Sequence, residues 1–294
     1  DTPGHVDFTV EVERSLRVLD GLVAVFCAVG GVQPQTETVW RQANKYKVPR
    51  IAFVNKMDRQ GAHFHRVIEK MNERLNTRAV PIQIPIFTGD DFDGIIDIVE
   101  QKAYTYLNDM GTEIHEIMIP ERLMNIVKMY REELIEVASE EDEQLLENYM
   151  EGLQITSEQL KNALRKATLK NKVTLVLCGT SFRNKGVQLL LDAVVAYLPS
   201  PLDVPPVKQA VLPDEDIPEE EREIRHPDEK EPFSALAFKI LMDPFIGKLT
   251  FFRVYSGTLE AGTYIYNASK KHKERISRLV QMRAGDRLEI KKVT

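Results

Sequence analysis

Short apolar runs alternate with segments of helical periodicity in the N-terminal two thirds of the chain. Residues 22–29, 51–54 and 173–178 are almost wholly apolar, which is typical of parallel strands that are buried on both faces. Beside them, apolar side chains recur every three or four positions in four predicted helices, residues 6–20, 35–46, 63–75 and 186–198. This alternation predicts an α/β domain in which helices flank a parallel sheet.

The alternation is interrupted between residues 79 and 171. In that stretch, strand-like runs precede two helical patterns, the first long and the second acidic; the segments are 80–87, 95–99, 112–118, 121–138 and 139–150. Thr156 and Gln159 then have the spacing of a capping box, which predicts the start of another helix. We therefore predict an α+β subdomain inserted over about residues 79–171.

A proline-rich stretch ends the α/β pattern, and we assign residues 204–232 to a linker and an acidic loop. Beyond it the periodicity becomes strand-like, with Gly and Asp-Pro turns between the candidate strands 234–242, 249–255, 263–266 and 275–282. Residues 233–294 are therefore predicted to be the start of an antiparallel β-barrel domain, truncated at the last residue.

Charge is divided unevenly along a chain whose formal net charge is −6. Residues 233–294 contain 12 Lys and Arg against 5 Asp and Glu, whereas the remainder contains 27 and 40. Such a basic C-terminal part indicates either a surface that faces nucleic acid or a basic face without a partner.

The longest apolar run, residues 22–29, is far shorter than a membrane span, and Cys27 and Cys178 resemble buried thiols of a reducing cytosol. We expect a cytoplasmic protein without membrane contact.

A polar cluster, Asn55, Lys56, Met57 and Asp58, follows the strand predicted at residues 51–54. Ligands bind at the carboxyl ends of strands in open α/β sheets, so this cluster is a candidate binding loop. The Asp58 carboxylate can accept hydrogen bonds from N1–H and the exocyclic amino group of guanine, a pair that adenine does not offer. Such a bidentate match is worth roughly 1–3 kcal/mol of discrimination. Asn55 would brace the loop, and the stem of Lys56 would cover a face of the base.

The chain opens with a second candidate motif, Asp1, Thr2, Pro3, Gly4 and His5. A carboxylate such as Asp1 can hold Mg²⁺ through water, and Gly4 lets its N–H approach a γ-phosphate closely. His5 takes the place at which GTP-hydrolysing enzymes position the attacking water, which makes it the candidate catalytic residue.

A third candidate segment, Thr180, Ser181 and Phe182, follows the strand predicted at residues 173–178. The backbone N–H of Ser181 would donate to guanine O6 there, which rejects adenine because adenine carries an amino group at that position. Asp-x-x-Gly, then Asn-Lys-x-Asp, then a small-residue turn is the order of parts in a GTP-binding domain. The three segments together predict GTP or GDP with Mg²⁺ as the bound ligands.

Several longer sequence segments resemble bacterial elongation factor G, a family of translational GTPases. They include residues 1–8, 30–44, 55–59 and 184–188 in the first domain, with residues 232–239 and 243–257 in the second. The family commonly has Ser-Ala where this chain has Thr180 and Ser181, a change that leaves a main-chain contact possible. The resemblance implies a partial P-loop GTPase domain at residues 1–203, then the linker and the barrel domain.

The resemblance also implies a function and partners. The protein would bind the ribosome with GTP and drive translocation of tRNA and mRNA, with hydrolysis triggered on the ribosome through His5. Its partners would be rRNA and ribosomal proteins, including those of the stalk, and indirectly the tRNA–mRNA complex. We expect a monomer in which Asp1 lies on the magnesium side of the nucleotide and Asn55, Lys56 and Asp58 read the base.

Parts of the family pattern are not in this sequence, namely the P-loop, the first switch and the last three domains. We therefore expect the natural chain to begin upstream of Asp1, and residues 1–294 alone to be inactive, without tight GTP binding. Two alternatives stay open at this point. One is another translational GTPase, for ribosome protection or recycling. The other is a non-catalytic ribosome-binding module, for this chain alone.

Overall fold

The structure, a computed structural model, describes residues 9–208, 218–243, 247–283 and 286–294. The predicted motif from Asp1 to His5 lies outside the described residues, as does part of the predicted linker, residues 209–217. The chain divides into two compact units, Asp1–Pro199 and Ser200–Thr294. Within the described ranges, each helix is too short or too polar to cross a membrane.

The first unit combines a parallel sheet, an antiparallel sheet and helices. Its described elements are, in chain order, α1 (Thr9–Leu16), β1 (Leu22–Cys27), α2 (Pro34–Lys45), β2 (Arg50–Asn55), α3 (Phe64–Leu75), β3 (Ala79–Pro81), β4 (Gln83–Thr88), β5 (Asp91–Asp97), β6 (Lys102–Tyr106), β7 (Ile114–Ile117), α4 (Glu121–Ser139), α5 (Glu143–Met150), α6 (Ser157–Leu169), β8 (Thr174–Cys178) and α7 (Val187–Tyr197). The predicted α/β class is confirmed, because β1, β2, β8 and β3 form one parallel sheet in that order.

The two inner strands of this sheet explain its apolar sequence. All five residues of β8 and the first five of β2 are buried, as expected for strands covered on both faces. The prediction of a buried strand over residues 22–29 is wrong in part. The strand β1 ends at Cys27 and is only partly buried, with Val25 59% exposed. The reason is that, among the described residues, β1 pairs with β2 alone and lies at a sheet edge.

Local capping fixes the helices beside the sheet. The helix α2 begins with a proline, whose missing N–H is not needed in a first turn. Before α3, the Nδ1 atom of His63 accepts the Arg66 N–H at 3.2 Å, and after it Asn76 takes the left-handed conformation. The buried residues of α3 follow helical spacing; they are Phe64, Val67, Met71 and Leu75.

An antiparallel sheet in the order β4-β5-β6-β7 interrupts the parallel topology, and it shares one hydrophobic core with the parallel sheet and α4 to α6. We predicted the insert from residue 79, but β3 (Ala79–Pro81) pairs in parallel with β8, so the antiparallel region begins after Pro81. The predicted capping box before α6 is confirmed. Thr156 accepts the Gln159 N–H on Oγ1 at 3.2 Å, and its own N–H donates to Gln159 Oε1 at 2.9 Å.

The second unit consists of antiparallel strand pairs. Its described strands are β9 (Val207–Lys208), β10 (Ile224–Arg225), β11 (Ser234–Asp243), β12 (Gly247–Ser256), β13 (Leu259–Glu260), β14 (Tyr264–Asn267), β15 (His272–Arg275), β16 (Leu279–Arg283), β17 (Asp286–Ile290) and β18 (Lys292–Val293). They pair as β9 with β10, β11 with β12, β13 with β18, β14 with β15 and β16 with β17. The predicted antiparallel start of the second domain is confirmed.

One predicted strand of this unit, residues 275–282, is wrong in part, because residues 276–278 lie outside the strands. The segment is divided between β15 and β16, which pair with different neighbours. Between them, the backbone of Ile276 donates to Thr263 O at 2.9 Å and accepts the Gly262 N–H at 2.7 Å. These bonds continue the pairing of β15 with the segment before β14, so the chain changes partner only at β16, which pairs with β17.

Candidate functional site

Two of the three predicted segments converge at one edge of the parallel sheet. Asn55 is the last residue of β2, and Gly179 directly follows β8, the neighbouring strand. Parallel strands end at the same edge, so the loops after them meet. Backbone hydrogen bonds tie the loops together, from Gly179 N–H to Val54 O at 3.0 Å and from Met57 N–H to Gly179 O at 3.1 Å.

The Asn55 side chain joins the two loops. Its Oδ1 atom accepts the N–H of Lys56 at 2.7 Å and the N–H of Ser181 at 2.9 Å, while its Nδ2 atom donates to Ser181 Oγ at 2.8 Å. Lys56 has φ of +65°, an unusual conformation for a residue with a Cβ, and its side chain is exposed. The bond from its N–H to Asn55 helps to hold it there, at the edge where a ligand would bind.

Asp58 is held by two groups of the second loop. Thr180, only 1% exposed, donates from Oγ1 to Asp58 Oδ1 at 2.7 Å, and the Arg183 Nε atom lies 3.3 Å from Oδ2. Each carboxylate oxygen has two lone pairs, so both oxygens can accept one hydrogen bond more. Asp58 therefore has the acceptor capacity that the N1–H and amino group of guanine require. The sequence did not indicate the part played by Arg183, because its partner lies in a distant loop.

The remaining predicted residues of these loops differ in their placement. Phe182 is 94% exposed, so its ring is free to contact a ligand. Met57, which we predicted to bind nucleotide, is wholly buried in the core, so its side chain does not face the site. The Ser181 N–H, which we expected to reach guanine O6, donates to Asn55 in this structure. A guanine O6 would have to share that N–H or replace the contact with Asn55.

Gly179 allows the turn after β8 to fold closely on itself and against β2. A Cβ atom at this position would lie 2.4 Å from Lys185 O and 2.7 Å from the Cζ atom of Phe53. Both distances are too short for any side chain, so the turn after β8 requires glycine here.

A cavity of about 170 Å³ adjoins these loops on the side of β1. Asn55 and Lys56 line it together with Gln33 and Thr36 at the start of α2 and the last residues of β1. The binding edge of the sheet therefore extends from the two loops toward β1. Gln33 and Thr36 were not predicted as site residues, although they lie within the segment 30–44, which resembles a known family.

The first predicted segment is outside this description. Asp1, Thr2, Pro3, Gly4 and His5 lie outside the described residues, so their roles toward Mg²⁺, the γ-phosphate and the attacking water stay predictions.

The chain matches two known domain families. The family "Elongation factor Tu GTP binding domain" matches residues 1–200, which is most of the chain and includes both loops of the site. This chain belongs to the elongation factor Tu GTP-binding domain family. The family "Elongation factor G domain 2" matches residues 232–294, the antiparallel strands of the second unit. Both domains are those of translational GTPases, and the first implies guanine-nucleotide binding.

A solved structure has a similar fold. A protein from Thermus thermophilus with a solved crystal structure is 29% identical in sequence to this member of the GTP-binding family, and the two structures superpose with a TM-score of 0.80. The similarity covers 100% of this chain and 40% of that one. The chain thus spans less than half the length of the solved protein that it resembles.

Proposed function

We propose that this protein is a GTP-hydrolysing translation elongation factor of the elongation factor G type, which drives movement of tRNA and mRNA through the ribosome. The proposal is supported by its membership of the elongation factor Tu GTP-binding family and by the match of its second unit to domain 2 of elongation factor G. In this proposal residues 1–203 form the GTP-binding domain, residues 204–232 the linker and residues 233–294 the second domain.

Guanine recognition is the part of this function that the site geometry supports. The carrying observation is that the residues Asn55 and Ser181 are joined by three hydrogen bonds while the Asp58 carboxylate is held by Thr180 and Arg183. A carboxylate fixed in this way can accept both guanine donors without a search of its rotamers, which lowers the entropic cost of binding.

Hydrolysis would depend on the segment from Asp1 to His5. In the proposal Asp1 holds Mg²⁺ through water, Gly4 contacts the γ-phosphate and His5 orients the attacking water on the ribosome. Mg²⁺ would neutralise charge on the phosphates while the γ-phosphoryl group is transferred to water and GDP leaves. These roles come from the resemblance of the motif to the family.

The test of the proposal exchanges the specificity of the base site. Asp58→Asn keeps an oxygen that can accept guanine N1–H but presents an NH₂ group toward the amino group of guanine. Xanthine has a carbonyl there, so the variant should prefer it. We expect GDP affinity to fall at least about tenfold and xanthosine diphosphate affinity to rise, as measured by calorimetry on the protein in its natural full length.

Asp90→Asn is the matched control, because it removes the same charge from an exposed turn between β4 and β5. It should leave both affinities at the wild-type value. If Asp58→Asn also left the affinities for GDP and xanthosine diphosphate unchanged, Asp58 would not read the base and the proposal would lose its main support.

A ribosome assay separates the proposed factor from related GTPases. A translocation factor should advance tRNA and mRNA on purified ribosomes in a GTP-dependent way, as followed by a toeprint of the mRNA. Ribosome-stimulated GTP hydrolysis without any advance would favour a protection or recycling GTPase instead.

A further inference from the structure

The antiparallel sheet contacts the loop after β8, whose Thr180 and Arg183 orient the Asp58 carboxylate. We name residues 180–186 the recognition turn and residues 107–113, which connect β6 to β7, the bracing loop. At the end of β6, the hydroxyl of Tyr106 accepts the N–H of Gly186, the last residue of the recognition turn, at 2.6 Å. Burial raises the pKa of Tyr106 to about 12, so this hydroxyl stays protonated at neutral pH.

The bracing loop also touches the recognition turn through its backbone. Gly111 is buried with φ of +59°, and a Cβ atom there would lie 2.5 Å from Arg183 O and 2.7 Å from Asn184 O. Its own carbonyl accepts a hydrogen bond from Gln188 Nε2 at 3.1 Å, in the first turn of α7. Only glycine permits this approach, since any side chain would displace one of the two backbones.

The bracing loop is fixed by its own hydrogen bonds. The Asn108 side chain accepts the Thr112 N–H at 3.0 Å and donates to Thr112 Oγ1 at 2.8 Å. The Leu107 N–H donates to Glu113 O at 3.1 Å and closes the base of the loop. The loop is therefore a firm support for a neighbour in contact with it.

The contacts of the recognition turn lead directly to Asp58. The backbone carbonyl of Arg183 adjoins Gly111, and the side-chain Nε atom of Arg183 pairs with the Asp58 carboxylate. The turn begins at Thr180, which donates to the same carboxylate. A shift of the recognition turn would therefore move both groups that orient Asp58.

We propose that Tyr106 and Gly111 are positioning residues for guanine recognition, because they hold the recognition turn at the distance from which it orients Asp58. The proposal rests on the guanine-binding function proposed above and adds a specific role for the antiparallel sheet. Neither residue touches the base itself, so their effect is on selectivity through Asp58.

The test compares two glycines of the same backbone conformation. Gly111→Ala should push the recognition turn away. Gly89→Ala is the matched control, because Gly89 has φ of +62° and a Cβ atom there would meet no described atom within 4 Å. Inosine diphosphate lacks the amino group of guanine and so forms only one of the two bonds to Asp58. The ratio of GDP to inosine diphosphate affinity in the full-length protein therefore reports the geometry of Asp58.

We expect Gly111→Ala to lower this ratio about tenfold and Gly89→Ala to leave it unchanged. Tyr106→Phe keeps the ring and removes only the acceptor of the Gly186 N–H, so it should lower the ratio about threefold. It also decides the question if Gly111→Ala does not fold. A wild-type ratio in Tyr106→Phe, or in a folded Gly111→Ala, would overturn the proposal.

Amide hydrogen exchange without nucleotide gives a second, independent result. Exchange in residues 180–186 should be faster in Gly111→Ala and Tyr106→Phe than in the wild type or Gly89→Ala. If the wild type bound neither nucleotide, the proposed function would fail, while faster exchange would still support the bracing contact. Equal exchange in all four proteins would refute the bracing contact whatever the nucleotide results.

Discussion

Replacement of Thr180 by Val removes one hydrogen-bond donor from Asp58 and changes the shape of the side chain very little. A hydrogen bond to a charged group contributes about 1.5–3 kcal/mol. The Asp58 side chain is 23% exposed and keeps Arg183 near its other oxygen, so water and Arg183 recover part of the loss. We expect Thr180→Val to lower the free energy of unfolding by about 1–2 kcal/mol.

The same change should weaken guanine binding. Without Thr180, the Asp58 carboxylate is oriented by Arg183 alone and loses its alignment toward the two guanine donors. We expect GDP affinity to fall about five- to thirtyfold, the equivalent of about 1–2 kcal/mol. Urea unfolding measures the stability and calorimetry the affinity, both on the full-length protein.

Thr180→Ser is the matched control, since it retains the hydroxyl and loses only a methyl group. Its GDP affinity should stay within about twofold of the wild type. The loss of the methyl group should lower only the free energy of unfolding. The reasoning would be refuted if Val and Ser at this position gave the same GDP affinity, because the hydroxyl would then have no part in orienting Asp58.

Two further predictions concern stability. Gly179→Ala should destabilise the fold by about 1–3 kcal/mol in urea unfolding, because its Cβ would overlap Lys185 O; Gly30→Ala, whose Cβ meets a flexible side chain at 3.1 Å, is the control and should cost less. Burial raises the pKa of the Asp97 carboxyl from 3.8 to about 6, so the folded state binds this proton more tightly than the unfolded state does. The stability that the bound proton contributes at low pH is therefore lost as pH rises through about 6. Relative to the wild type, the free energy of unfolding of Asp97→Asn should rise by about 2 kcal/mol between about pH 4 and about pH 7 in urea unfolding. A difference between the two proteins that stayed constant with pH would contradict the prediction.

Local pattern predicted most helices and the inner strands. The helix predicted at residues 63–75 is observed as α3 (Phe64–Leu75), because a strongly periodic apolar face has one way to be buried. The loop after β2 and the loop after β8 were predicted as parts of one nucleotide site, because each follows a buried strand and their motifs occur in the order of a GTP-binding domain. Edge and surface strands were less predictable. β17 (Asp286–Ile290) is mostly exposed, so its sequence carries no apolar alternation that would have revealed it.

The sequence by itself determined the α/β class, the two loops and the residue types that can read guanine, since these depend on short patterns and on the order of strands. Only the tertiary structure decided that Met57 belongs to the core, that Arg183 pairs with Asp58, and that Gly111 adjoins the recognition turn. Each of these depends on the distance between segments far apart in the chain. Such distances follow from how the two sheets pack together, and no local periodicity specifies them.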